Sequence, residues 1–94
     1  MPVIFYIPGG LRPLVDGQSR VELSLPGSGA VLDALHELWM NYPTLRDRIV
    51  NEQGEIREHV NVFVGNENIR HTGGLDTPIP PNAEINIVPA ISGG

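Results

Sequence analysis

The chain has 94 residues, 40% of them hydrophobic and 18% charged, which is enough for one compact domain and too little for a separate catalytic module. Eleven acidic against six basic residues give a formal net charge of −5. That balance repels a phosphate backbone and an anionic bilayer alike, and argues against nucleic acid and membrane as partners. Cysteine is absent, which removes disulfides, thiolate nucleophiles and zinc-thiolate sites. All six basic residues are arginine (Arg12, Arg20, Arg46, Arg48, Arg57 and Arg70), so there is no side-chain amine for a Schiff base and no P-loop lysine. The opening MPVIFYIPGG carries no basic n-region and no segment reaches about 18 apolar residues, so the expected location is the cytoplasm.

In chain order, the β-branched and aromatic run Val3 to Ile7 predicts a strand ended by Pro8, Gly9 and Gly10. Val21, Leu23 and Leu25 alternate with polar residues after turn material at Asp16 and Gly17, the period of a half-buried strand that would form a hairpin with the first. Pro26 to Gly29 break it, and Ser28 is placed to cap a helix whose apolar positions Val31, Leu35, Leu38 and Tyr42 recur every three to four residues, widened by Leu32 and Trp39. Pro43 stops this helix, and Leu45 and Ile49 continue the apolar contact as a short second turn before a loop from Asn51 to Gly54. Val60, Val62 and Val64 predict a third strand. The Gly65–Asn68 cluster reads as a reversal into a short fourth strand at Ile69, and Ile85 and Ile87 start a fifth that Pro89 ends.

The resulting order, β-β-α-β-β-β, resembles the β-grasp, or ubiquitin-like, roll: an α+β fold in which one helix crosses a mixed sheet with the first and last strands side by side at its centre. A ferredoxin-like fold needs a second full helix, and the two glycines and three prolines between Thr72 and Ala83 preclude it. Residues 1–89 are read as the β-grasp domain and 90–94 as a flexible C-terminal tail.

Few residues carry chemistry of their own. His36, His59 and His71 lack the close spacing of zinc sites, so no metal is expected. Gly27-Ser28-Gly29 lacks the third glycine and the flanking repeats of a dinucleotide loop, and Glu55 and Glu58 sit in a polar stretch with nothing to enclose a substrate. The informative feature is the finish Ala90-Ile91-Ser92-Gly93-Gly94. Five extended residues reach about 17 Å, and glycines without β-carbons thread a narrow channel while leaving the terminal carbonyl unhindered. At an average glycine usage of about 7%, a Gly-Gly finish arises by chance in on the order of one chain in two hundred. A final strand that delivers such a tail from the sheet centre suits entry into another protein's active site.

The stretches IPGGLRP, HVNVFVGNENIR, GGLDTPIP and INIVPAISGG together resemble the MoaD/ThiS-type sulfur carriers over nearly the whole chain. The likeness is greatest to the CysO-like branch that serves cysteine biosynthesis. The resemblance implies that Gly94 is adenylated by an E1-like, ATP-using enzyme and converted to a thiocarboxylate, with Gly93, Ser92 and Ile91 forming the threading tail. It further implies a cysteine-synthase-like PLP enzyme as acceptor of the sulfur and a JAMM-type zinc metalloprotease that releases the product. ATP, PLP and zinc would then belong to the partners, and this chain, a monomer when free, would be a protein cosubstrate without a catalytic site. Ser92 departs from the family's usual Ala-Gly-Gly ending.

Strand alternation directs Val3, Phe5, Ile7, Val60, Val62, Val64, Ile85 and Ile87 toward the helix and leaves Ile4, Tyr6, Phe63 and Val88 on the opposite face. Phe63, with Tyr6 and Val88, is the expected anchor for the activating enzyme, with Arg70 or Arg12 pairing with acidic groups. Other readings of the same chain are a molybdopterin-synthase small subunit, a thiamine or tRNA-thiolation carrier, a ubiquitin-like modifier joined through Gly94 to target lysines, and a pure interaction domain.

Overall fold

The computed structural model describes residues 1–25 and 29–89. Five strands form one mixed sheet: β1 (Pro2–Tyr6), β2 (Arg20–Ser24), β3 (Val60–Val64), β4 (Glu67–Asn68) and β5 (Ala83–Pro89), in the spatial order β2-β1-β5-β3-β4. β1 and β5 run parallel at the centre with Phe5 opposite Ile85, and the remaining neighbours are antiparallel. The expected β-grasp roll is therefore the fold observed. The hairpin of the first two strands is present too, but its connection is long. Gly9–Val15 winds as a 3-10 turn that buries Val15, and Asp16 (φ 57°) and Gly17 (φ 79°) then reverse the chain.

The inner face follows from alternation. Val21, Phe5 and Ile85 lie in one row across the sheet, Leu23, Val3 and Ala83 in the next, and Val62 stands opposite Ile87. Helix α1 (Val31–Asn41) lays Val31, Ala34, Leu35 and Leu38 onto these rows, and this interface is the centre of the core. Its start differs in detail from the sequence reading, since Ala30 is the N-cap and Asp33 reaches back to accept the Ala30 backbone N–H at 2.8 Å. Ser28, the expected cap, lies outside the described residues. The first turn is stitched to the loop before β5, where the Val31 N–H donates to the Thr77 carbonyl (2.9 Å) and the Ile79 N–H to that of Gly29 (3.0 Å).

α1 ends at Asn41 because Tyr42 precedes a proline and is kept out of the helical region (φ −138°, ψ 73°). A 3-10 turn over Pro43–Leu45 then leads into the four-residue helix α2 (Arg46–Ile49), which buries Leu45 and Ile49 as the sequence predicts. The fourth strand is a correction. It spans Glu67–Asn68, whereas Ile69 opens a 3-10 turn, Ile69–His71, capped by the Asn68 side chain, which accepts the Arg70 N–H at 3.0 Å. The two-residue loop Gly65-Asn66, with φ +60° at Gly65, closes the β3–β4 hairpin so tightly that pairing begins at once with Val64 opposite Glu67. A buried Ile69 then serves the core better in the following turn than in an edge strand.

Candidate functional site

The reacting end expected from the sequence, Ile91, Ser92, Gly93 and Gly94, lies outside the described residues, and the site is built from what surrounds its point of departure. β5 is flanked on both sides, by β1 and β3, so the chain is held by ladders up to Pro89, which stands opposite Val60. At that point lies an open groove of about 310 Å³, lined by Leu11, Arg48, His59, Val60, Ile87 and Pro89 among others. Topology assembles it: β1 runs parallel to β5, so the turn after β1 and the start of β3 both arrive where β5 ends.

The sheet face away from α1 carries the expected docking residues. One row across it reads Arg20, Tyr6, Asn86, Phe63 and Asn68, and Val88 stands opposite Asn61 in the next outward-facing row. Phe63 and Val88 are thus diagonal neighbours, and Tyr6 is separated from Phe63 by Asn86. Val88 is 44% exposed, and Tyr6 and Phe63 are half-buried. The Tyr6 hydroxyl donates to Glu84 Oε1 at 2.6 Å. That hydrogen bond, with lesser help from desolvation and the carboxylate's charge, raises the phenol above its ordinary value.

Arg70 lies beside the same face, but its guanidinium is turned onto the chain itself. Nη2 donates to the carbonyls of Val60 (2.7 Å) and Arg57 (2.9 Å), and Nε reaches the Asn61 amide oxygen (3.4 Å). Arg12 Nε likewise donates to the Ile7 carbonyl at 3.0 Å. Both arginines therefore pin the backbone that walls the β5 exit: Arg70 the approach to β3, and Arg12 the end of β1. Arg48 and His59 line the exit and carry no signal in the sequence, because only the three-dimensional strand order brings α2, the start of β3 and the turn after β1 together. His36 is exposed on α1 and His71 in the turn after β4. Among the described residues no cluster of three His, Asp or Glu side chains could hold a metal ion, and no helix is long and apolar enough to cross a membrane.

Comparison with known proteins decides the family. The family model described as the ThiS family matches residues 5–94. The chain belongs to the ThiS family. Among curated ThiS-family relatives it is 35% identical over 96 residues to the sulfur carrier protein CysO of Mycobacterium tuberculosis, covering all of both chains. Among solved structures it resembles a chain of the Amycolatopsis orientalis BexX/CysO complex, with a TM-score of 0.87, 28% identity, and coverage of 98% of this chain and 99% of that one. The structure of SAMP1 from Haloferax volcanii, a small archaeal modifier protein, superposes with a TM-score of 0.84 at 26% identity over all of both chains. The resemblance to MoaD/ThiS-type carriers holds, as does the nearness to CysO. This ThiS-family chain is therefore a relative of small carrier and modifier proteins built on the β-grasp fold.

Proposed function

We propose that the protein is a sulfur carrier whose reacting group is the Gly94 carboxylate. The carboxylate attacks the α-phosphorus of ATP on an E1-like enzyme and releases pyrophosphate, and a sulfur donor then displaces AMP to leave a thiocarboxylate. An ionised carboxylate is a poor electrophile, so an activated leaving group is required. The sequence carries no P-loop lysine and no complete dinucleotide loop, and in this reading the activation occurs in trans. Gly93, Ser92 and Ile91 thread the partner's channel, and Phe63, Tyr6 and Val88 dock on the activating enzyme while Arg12 and Arg70 stiffen the backbone at the tail's base. The chain is then a cosubstrate, monomeric when free and cytoplasmic. The end-to-end match to CysO carries the reading and favours cysteine biosynthesis as the destination of the sulfur. In that route a cysteine-synthase-like PLP enzyme accepts the sulfur and a JAMM-type zinc metalloprotease frees the product.

The test is intact mass spectrometry of protein isolated from its own host. The expected species has one carboxylate oxygen replaced by sulfur, localised by fragmentation to Gly94, and a chain shortened by Gly93 and Gly94 does not form it. Cells carrying only the shortened chain should require cysteine; growth equal to that of unmodified cells would remove the reading. The likeness to SAMP1 supports a second use of the same activation, transfer of Gly94 to lysines of other proteins. High-mass conjugates that disappear on deletion of Gly94 would establish it.

A further inference from the structure

Among the described residues, five of the six arginines hold a partner within the chain. Arg12 and Arg70 hold backbone carbonyls, Arg57 Nε donates to the Asp47 carbonyl (2.8 Å), and Arg20 and Arg46 pair with Glu22 (3.7 Å) and Asp47 (3.4 Å). Arg48 is exposed and makes neither an ion pair nor a side-chain hydrogen bond among the described residues. With His59 it lines the groove at the β5 exit, whose other walls include the apolar Leu11, Val60 and Ile87. In a chain of net charge −5, the unpaired cation thus stands where the chain leaves the sheet. A guanidinium over an apolar hollow matches a carboxylate whose neighbours are aliphatic, with two parallel N–H···O bonds on one side and buried hydrocarbon on the other.

Geometry fixes who would bring that carboxylate. Five extended residues reach about 17 Å, so an enzyme that takes the end of the tail into its active site must set the mouth of that site against the rim of this groove. We infer that the groove around Arg48 and His59 is a docking site for an acidic-apolar segment, an Asp or Glu flanked by aliphatic side chains, at the mouth of the enzyme that activates the tail. The site is separate from the sheet face of Phe63 and Val88 and reads charge where that face reads shape. It rests on the carrier reading, in that the tail must enter a partner.

The test uses the full chain and the host's own ATP-dependent activating enzyme. Non-covalent binding is measured without ATP, and loading of Gly94 is measured with it. Arg48→Glu is expected to weaken binding and raise KM roughly tenfold with kcat unchanged, Arg48→Gln to fall between, and Arg48→Lys to recover part of the loss. Added salt should narrow the gap between the wild type and Arg48→Glu, because the rim pair is screened. Equal binding by the wild type and Arg48→Glu overturns the inference. So does a fall in kcat at constant KM, which would place Arg48 in the chemistry, or tighter binding by Arg48→Glu, which would show that the groove holds the chain's own carboxylate. A photo-crosslinker at position 48 should capture an acidic stretch of the enzyme, and capture elsewhere counts against the site. If the wild-type chain binds but takes no adenylate, the carrier reading fails while the docking site stands on the binding data.

Discussion

The Tyr6 hydroxyl donates to Glu84 Oε1 at 2.6 Å, and this bond bears on the titration of the phenol. Because the bond needs the phenolic proton, the folded chain holds that proton more tightly than the unfolded chain, and the phenol titrates above the usual tyrosine value of about 10. The sign follows from linkage: a folded-state value above the unfolded one contributes stability that is complete below about pH 10 and is lost as pH rises through the folded value. Glu84→Ala, which removes the acceptor, should return the titration of Tyr6, followed by phenolate absorbance against a Tyr42→Phe background, toward the ordinary value and remove that alkaline loss. An unchanged titration curve would show that the bond has no hold on the proton. The bond lies at the surface, so its contribution is small, and the change in it is confined to alkaline pH.

At the scale of elements, the start of α1 turns on two residues that touch. A Cβ added at Gly29 would lie 2.9 Å from Asp33 Oδ2 and 3.2 Å from Asp33 Cβ, and that same Oδ2 accepts the Ala30 N–H at 2.8 Å. Gly29→Ala should therefore push the carboxylate off the helix start and lose about 1 kcal/mol, the usual worth of such a cap. Asp33→Ala should lose a similar amount, and the double variant little more than either, because both remove one interaction. Urea denaturation of the four proteins checks this, and strict additivity would mean that the two residues act apart. This contact was not legible beforehand: glycine after Pro26-Gly27-Ser28 reads as a breaker, and its closeness to Asp33 exists only once the helix has formed. The misplacement of β4 has a related cause. Ile69 has strand propensity, but the two-residue loop at Gly65-Asn66 lets pairing start at Glu67, and the buried isoleucine is delivered by a turn.

For the whole molecule, period-two alternation in β1, β3 and β5 told which side chains face the helix, and the breakers at Pro43 and between Thr72 and Ala83 told that the described residues hold one long helix. What alternation cannot tell is which strand ends meet. Arg48 and His59 join the rim of the β5 exit only because β5 lies parallel to β1 and antiparallel to β3. The same topology separates two apolar side chains outside the core that composition treats alike. Met40 is 78% exposed on α1, on the layer opposite the docking face, whereas Phe63 shares the outer sheet face with Val88 and Tyr6. Central aromatic anchors dominate interface energies and isolated surface side chains do not. Phe63→Ala should thus weaken loading by the activating enzyme by about thirtyfold, the lower bound for a hot spot, while Met40→Ala leaves loading unchanged. Because Phe63 is half-buried, its truncation should lower stability by about 1–2 kcal/mol and leave the folded population nearly complete, so steady-state kinetics on protein checked by circular dichroism report docking alone. Undiminished loading of Phe63→Ala, or an equal loss in Met40→Ala, would move the contact off the outer face of the sheet.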